Sequence, residues 1–207
     1  NCYFIADTAM NGGAIGNFGG RETVINNCVF HSNHAYGSGD TQGLGAALYA
    51  WNSGEPSVYN STFSNNTSET SSGALHTRNG PRVYLYNCII WGNKTNDLIA
   101  SNSSPSKFIP VYCCIEQSGW EAGEGIISSD PLLSDSENGY LNLLPGSSCI
   151  DAANGDHSTE FDIRGNARTD YSNVANTGTG TPPYADLGAI EFYPVDAGIL
   201  SVDEPDE

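Results

Sequence analysis

Asn27-Cys28-Val29-Phe30-His31-Ser32-Asn33 returns as Asn60-Ser61-Thr62-Phe63-Ser64-Asn65-Asn66 and again as Asn87-Cys88-Ile89-Ile90-Trp91-Gly92-Asn93. A degenerate copy opens the chain, with Asn1-Cys2 followed by Phe4-Ile5-Ala6-Asp7. A second signature alternates with the first: Gly12-Gly13-Ala14-Ile15, Gly45-Ala46-Ala47-Leu48 and Ser72-Gly73-Ala74-Leu75. From the start of each small-residue cluster to the next anchor (Phe30, Phe63, Ile90) the distance is 18 residues every time, whereas anchor to following cluster takes 8, 15 and 9. One half of the repeat therefore has fixed length, and one loop absorbs the insertions. Only segments that form a ladder with the next copy need to keep their length.

The repeat predicts an all-β chain: a right-handed parallel β-helix, or solenoid, of about 26 residues per coil, closed by a C-terminal capping region. Gly, Ser and Asn supply 68 of 207 residues, a composition that favours turns and opposes helix interiors. Side chains alternate along a strand, so Cys28 and Phe30 share the inward face. Val83 and Leu85 have the opposite parity from Cys88 and Ile90, which requires a bend at Asn87. Asn tolerates the left-handed conformation of such a bend. The expectation is an asparagine ladder at Asn27, Asn60 and Asn87, with stacked side chains bonded coil to coil, and a second at Asn33, Asn66 and Asn93. Phe30, Phe63 and Ile90 should stack inside. The eight residues 36–43 should bulge from one edge, and residues 34–44 are the edge loop placed to make contacts.

The GGA[ILV] and FxxN signatures of residues 1 to about 100 resemble the repeats of right-handed parallel β-helix surface proteins, including the chlamydial polymorphic outer-membrane proteins. Further on, Val111-Tyr112-Cys113-Cys114-Ile115 aligns with Leu85-Tyr86-Asn87-Cys88-Ile89 at an offset of 26, with Cys113 in the place of the bend Asn. The segments Gly123 to Leu133, Tyr140 to Ala152, Asp162 to Arg168 and Tyr184 to Phe192 then resemble the choice-of-anchor Q module that ends many secreted bacterial β-helix proteins. The implied organisation is coils over 1–120, final coils and cap over 121–192, and an acidic linker over 193–207. The sequence opens at a bend Asn, inside a repeat, and the expectation is a piece of a larger parent chain or assembly. Arg164 and Arg168 lie near Asp162, Asp151 and Asp186 in sequence and are expected to form ion pairs that fix the closing loops.

The 24 acidic residues against 7 basic ones leave a net charge of −17, which argues against a nucleic-acid partner. No apolar run is long enough to span a bilayer, so membrane insertion of this segment is not expected. Hard cations prefer oxygen donors, and calcium is the cofactor such a surface would attract; Asp135, Glu137 and Asn138 are the candidate ligands, with a plain polar turn as the competing reading. Cys2, Cys28, Cys88 and Cys114 fall at the inward position and read as buried thiols, and no CxxC spacing suggests zinc. No serine is nominated as a nucleophile. The coil cations show no repeated placement to line a lyase groove, and the coil carboxylates show no defensible hydrolase pair. Aromatic side chains offer sugar-stacking surfaces, with Tyr59 and Tyr86 in equivalent positions and Trp91 nearby; Tyr49, Trp51, Tyr84 and Trp120 are further candidates. The functional expectation is an extracellular or cell-surface structural or adhesin-like bacterial module with a glycan or protein partner, non-catalytic in this segment. The alternative is a carbohydrate-active or glycan-binding β-helix.

Overall fold

The computed structural model describes residues 1–19, 22–52, 55–70, 72–94, 96–101 and 107–194. The linker expected over 193–207 lies almost wholly outside them. The chain is all-β with parallel sheets, and among the described residues the helical ones are the three of a single 3-10 turn, Gly155–His157. No helix among them is long and apolar enough to cross a membrane.

A first pass of the chain forms β1 (Cys2–Ile5), β2 (Thr8–Ala9), β3 (Ile15–Asn17) and β4 (Val24–Asn26). The second forms β5 (Cys28–His31), β6 (His34–Ala35), β7 (Leu48–Trp51) and β8 (Ser57–Tyr59). The third forms β9 (Thr62–Ser64), β10 (Thr67–Ser68), β11 (Leu75–Arg78) and β12 (Arg82–Tyr86). The fourth has β13 (Ile89–Ile90), β14 (Leu98–Ser101) and β15 (Lys107–Val111), and β16 (Cys114–Ile115) begins a fifth. Equivalent strands pair in parallel, giving four sheets: β1-β5-β9-β13-β16, then β2-β6-β10, β3-β7-β11-β14 and β4-β8-β12-β15.

The registers place Phe4 against Phe30, Phe30 against Phe63, Phe63 against Ile90 and Ile90 against Ile115. The three phenyl rings stack nearly face to face, at 4.8 Å and 5° and then at 4.5 Å and 3°. Like side chains in register at the strand spacing of about 4.8 Å lay ring over ring here. Phe30, Phe63 and Ile90 belong to one buried cluster with Leu48 and Leu75 of the third sheet and Val58, Val83 and Leu85 of the fourth. Trp120 and Ile126 pack against it from the segment after β16.

The bends explain the sequence pattern. Asn27, Asn60 and Asn87 have φ of 47°, 42° and 56°, the left-handed conformation that turns the chain from the fourth sheet to the first. On the following rung this conformation belongs to Tyr112, with φ of 51°. The true offset there is 25: Val111 pairs with Tyr86 and Cys114 with Ile89. Cys113, expected at the bend, is therefore the inward thiol of the central cluster beside Cys28 and Cys88, while Cys114, expected inside, faces the other side. The small-residue clusters mark entry to the third sheet. A Cβ on Gly45, at φ +65°, would sit 2.3 Å from the Leu48 carbonyl oxygen.

Asn33, Asn66 and Asn93 form a continuous bonded column. Asn33 donates its backbone N–H and its side-chain amide to Asn66 Oδ1, each at 3.0 Å. Asn66 repeats this toward Asn93 Oδ1 at 3.1 and 2.9 Å and also donates to the Phe30 carbonyl at 3.0 Å. Asn93 passes the column to Asp97 Oδ1 at 3.0 Å. Asn66 is fully buried, so its truncation leaves several polar groups without partners. Asn66→Ala is expected to cost at least about 2 kcal/mol in urea-unfolding free energy; a loss within about 0.5 kcal/mol, the range of an inert surface change, would contradict the column.

Candidate functional site

In the first sheet β5, β13 and β16 carry apolar residues on both sides. In β5 all four residues are buried: Phe30 faces the central cluster, while Val29 faces outward into a second body of chain. Residues from Leu133 to Phe192 form that body. It starts with an antiparallel hairpin, β17 (Leu133–Asp135) and β18 (Tyr140–Leu143), and continues largely as turns. Leu143, Cys149, Ile150 and Leu187 pack with Ile89 and Cys114; Leu141, Ile163 and Ile190 pack with Val29. Ala189 donates its N–H to Thr62 Oγ1 at 3.0 Å. The region expected to cap the stack thus lies along its flank and touches successive rungs, because the outward apolar row Val29, Ile89 and Cys114 needs cover. At the end of the stack, cover for the central cluster comes from Trp120 and Ile126.

This flank contact redirects the bend asparagines. Asn87 donates to the Asn154 carbonyl at 2.9 Å and to Ser158 Oγ at 3.1 Å, and accepts from the Asn154 N–H at 2.8 Å. Asn27 donates to Thr159 Oγ1 and the Phe161 carbonyl, both at 2.8 Å. At Asn27 and Asn87 the carboxamides are docking points for the flanking body, where rung-to-rung side-chain bonds were expected.

A buried polar cluster pins that body. Arg168 Nη1 lies 2.8 Å from Glu191 Oε2, with side-chain exposures of 3% and 0%. Its guanidinium also donates to Asn27 Oδ1 at 3.3 Å. Glu191, which the sequence reading did not name, is thus an ion-pair partner of Arg168. The three aspartates expected from sequence hold backbone N–H groups: Asp162 takes Arg164, Asn166 and Glu191; Asp151 takes Tyr171; Asp186 takes Asp151 and Phe192. Arg164 itself is exposed. Burial, aided by the Glu191 charge, pushes the Asp186 carboxyl up to about 8 against the pull of its two N–H bonds. Burial likewise raises Asp151 to about 6, and Asp97, at the foot of the asparagine column, to about 6.

The aromatic platform is already occupied. Tyr59 and Tyr86 stack at 5.0 Å and 14°, and His157 of the flanking body lies against both, 4.3 Å from Tyr86 and 6.2 Å from Tyr59. Trp91 packs against the flanking core. The proposed calcium ligands sit in the turn of the β17–β18 hairpin. Asp135 accepts from the Asn138 N–H and side-chain amide at 3.3 and 2.8 Å, and Asp135, Glu137 and Asn138 are all exposed. Among the described residues, no group of three or more His, Cys, Asp or Glu could hold a metal ion. The described cysteines are free thiols; Cys2, expected to be buried, is exposed on the edge strand β1, while burial raises Cys88 well above the ordinary range. Ser32 Oγ lies 2.9 Å from His31 Nε2, but the buried Nδ1 of that histidine has no carboxylate bonded to it, so a triad is incomplete there.

Comparison of the chain with protein-family models, with curated proteins and with solved structures finds no match.

Sequence reasoning missed Glu191, Thr159 and Asn154. The available signal was the run Cys28-Val29-Phe30 and the pair Ile89-Ile90: apolar residues on both faces mark a strand covered on both sides.

Two outcomes follow from this geometry. Arg168→Ala leaves Glu191 buried and unpaired and is expected to cost about 3–5 kcal/mol, while Arg164→Ala stays within about 0.5 kcal/mol; equal effects in urea unfolding would contradict the assignment. The carboxyls of Asp186, Asp151 and Asp97 have folded pKa values above the unfolded value of about 3.9. The folded state therefore binds protons that the unfolded state releases, and stability declines as pH rises from about 4 toward 8. Urea midpoints should fall across that window, and Asp186→Asn should flatten the fall between about 6 and 8 even while losing an N–H acceptor. A midpoint that rises through the window would contradict this.

Proposed function

We propose that this chain is a right-handed parallel β-helix module of a secreted or cell-surface bacterial protein, acting as a rigid stalk or adhesin-like spacer. The observation that carries the reading is the recurrence of the four sheets in the same order on the first three passes and of three of them on the fourth, with equivalent residues in parallel register. Parallel crossovers within one sheet are right-handed in nearly all proteins, which supports the hand. The resemblance to polymorphic outer-membrane-protein repeats and to a choice-of-anchor Q module supports the extracellular setting, and the net charge of −17 suits a solvated exterior.

A stalk transmits position, so its value lies in stiffness. Bonds between rungs fix the axial rise, and the flanking body braces successive rungs of the first sheet. The edges of β1, β2, β3 and β4 each pair on one side, and Tyr3, Ile5 and Val24 are more than half exposed there. Such an edge suits a further rung or a partner strand, in keeping with a larger parent chain or assembly.

Intact cells of the source organism, labelled with antibody against the folded module, test the setting. Surface labelling that is lost on protease shaving is expected, and labelling only after cell lysis would overturn it. Incubation with neutral and uronate-containing polysaccharides tests the absence of turnover: no unsaturated or reducing ends should be released, and their release would favour the carbohydrate-active alternative.

A further inference from the structure

The outward face of the third sheet carries aromatic rings outside the flanking core. Tyr49 and His76 follow Gly16 in one register row, and Arg78 lies opposite Trp51 in another. Phe18, one residue beyond β3, is 57% exposed. Its ring lies across the backbone of β3: a Cβ on Gly16 would sit 2.5 Å from Phe18 Cε2, so the close approach needs the glycine. From there the ring meets Tyr49 edge-on at 5.8 Å and 72°, and Trp51 at 6.2 Å and 74°.

These rings form one side of a cavity of about 260 Å³, and Asn11, Thr41, Arg78 and Asn79 form the rest of its lining. The wall bearing Thr41 comes from the insertion over residues 36–43, which makes its anchor-to-cluster spacing nearly twice the other two. The insertion is tied down by the cavity's own residues. Asn11 Nδ2 donates to the Thr41 carbonyl at 2.9 Å, and Arg78 donates to the Asp40 carbonyl. Glu69 Oε2 accepts from the Gly37 N–H at 2.8 Å, fixing the far end of the loop.

We propose that this cavity binds one pyranose unit of a glycan. It rests on the adhesin-like reading and gives it a specific contact point. A pyranose has two kinds of surface: apolar C–H faces, and hydroxyl oxygens around the rim. Aromatic faces carry negative quadrupole potential and match the C–H faces. Carboxamides and a guanidinium match hydroxyl or carboxylate oxygens at the rim. Small-molecule sites usually span about 300–1,000 Å³, so a cavity slightly below that range suits a single ring at a glycan end. Arg78 adds a cation to a strongly acidic body, which makes this a place where a uronate or other acidic sugar would be tolerated. Tyr59 and Tyr86, expected from sequence to stack on sugars, have their rings against His157. The rings around Phe18 border an open cavity instead.

The test is a glycan array spanning neutral, uronate-bearing and sialylated glycans, followed by titration of isotope-labelled protein with the best-bound glycan and with methyl β-glucoside as a simple pyranose. The expected result is saturable change at the amides of residues 16–18 and 49–51 and at the Trp51 indole. Trp51→Ala and Asn79→Gly should each weaken binding at least tenfold while the protein keeps its well-dispersed amide spectrum; glycine keeps the positive φ of Asn79 while removing its amide. Array silence together with no change under methyl β-glucoside would overturn the proposal. So would binding that both variants leave intact, or changes confined to Trp91 or Trp120. A well-dispersed spectrum with no response to sugar rejects the cavity alone and leaves the stalk standing, whereas a collapsed spectrum removes the β-helix reading itself.

Discussion

The second, third and fourth rungs each lay an asparagine carboxamide, from Asn33, Asn66 and Asn93, under the rung before it. Asn33, Asn66 and Asn93 each accept on Oδ1 from the backbone N–H of the preceding ladder residue and, where that residue is Asn, from its amide; each amide also donates to a carbonyl on the preceding rung. A buried carboxamide without partners is costly, so the column holds only if consecutive rungs keep one register. Register then dictates the rest. Phe4, Phe30 and Phe63 stack, the left-handed bends fall on top of one another, and insertions are confined to the loop outside the ladder. At its foot the column ends on Asp97, whose carboxyl takes the Gln117 N–H, while Gln117 Oε1 takes the N–H groups of Asp97 and Leu98.

The same register creates the outward row of the first sheet, and that row explains the flanking body. Val29, Thr62, Ile89 and Cys114 point away from the central cluster, and three of the four are apolar. Covering them brings Arg168, Glu191 and the three buried aspartates into a nearly water-free contact. Most of their oxygen atoms accept backbone N–H groups of the irregular segments, which have few sheet ladders of their own to use. The acidic groups there hold loop structure, and burial raises the Asp151, Asp186 and Glu191 carboxyls above their ordinary range.

Much of the stack was legible in the sequence because it rests on local spacing. The constant 18 residues from cluster to anchor needed no knowledge of distant contacts, and Phe30, Phe63 and Ile90 needed only strand parity. The offset failed where the motif did: at Tyr112 the bend residue is neither Asn nor Gly, so letter matching slid by one and exchanged the two cysteines. The placement of the flanking body was not legible, since it depends on pairs such as Arg168 with Asn27 that lie 141 residues apart. The doubly apolar strand β5 was its local trace. The site residues fared similarly: the aromatic pair Tyr59 and Tyr86 was correctly seen as stacked, but the histidine on it comes from the flanking body. The Phe18 cavity arises where an insertion meets a sheet face, a juxtaposition that no local motif records.

The register of the stack is tested most directly by nuclear Overhauser contacts in protein with selectively labelled Phe and Asn. The stack predicts that the Phe30 ring contacts both Phe4 and Phe63, and that the Asn66 carboxamide protons exchange slowly while contacting Asn33 and Asn93. Absence of a Phe30 to Phe63 contact, with the Asn66 carboxamide exchanging at the rate of free solvent-exposed amide, would contradict it.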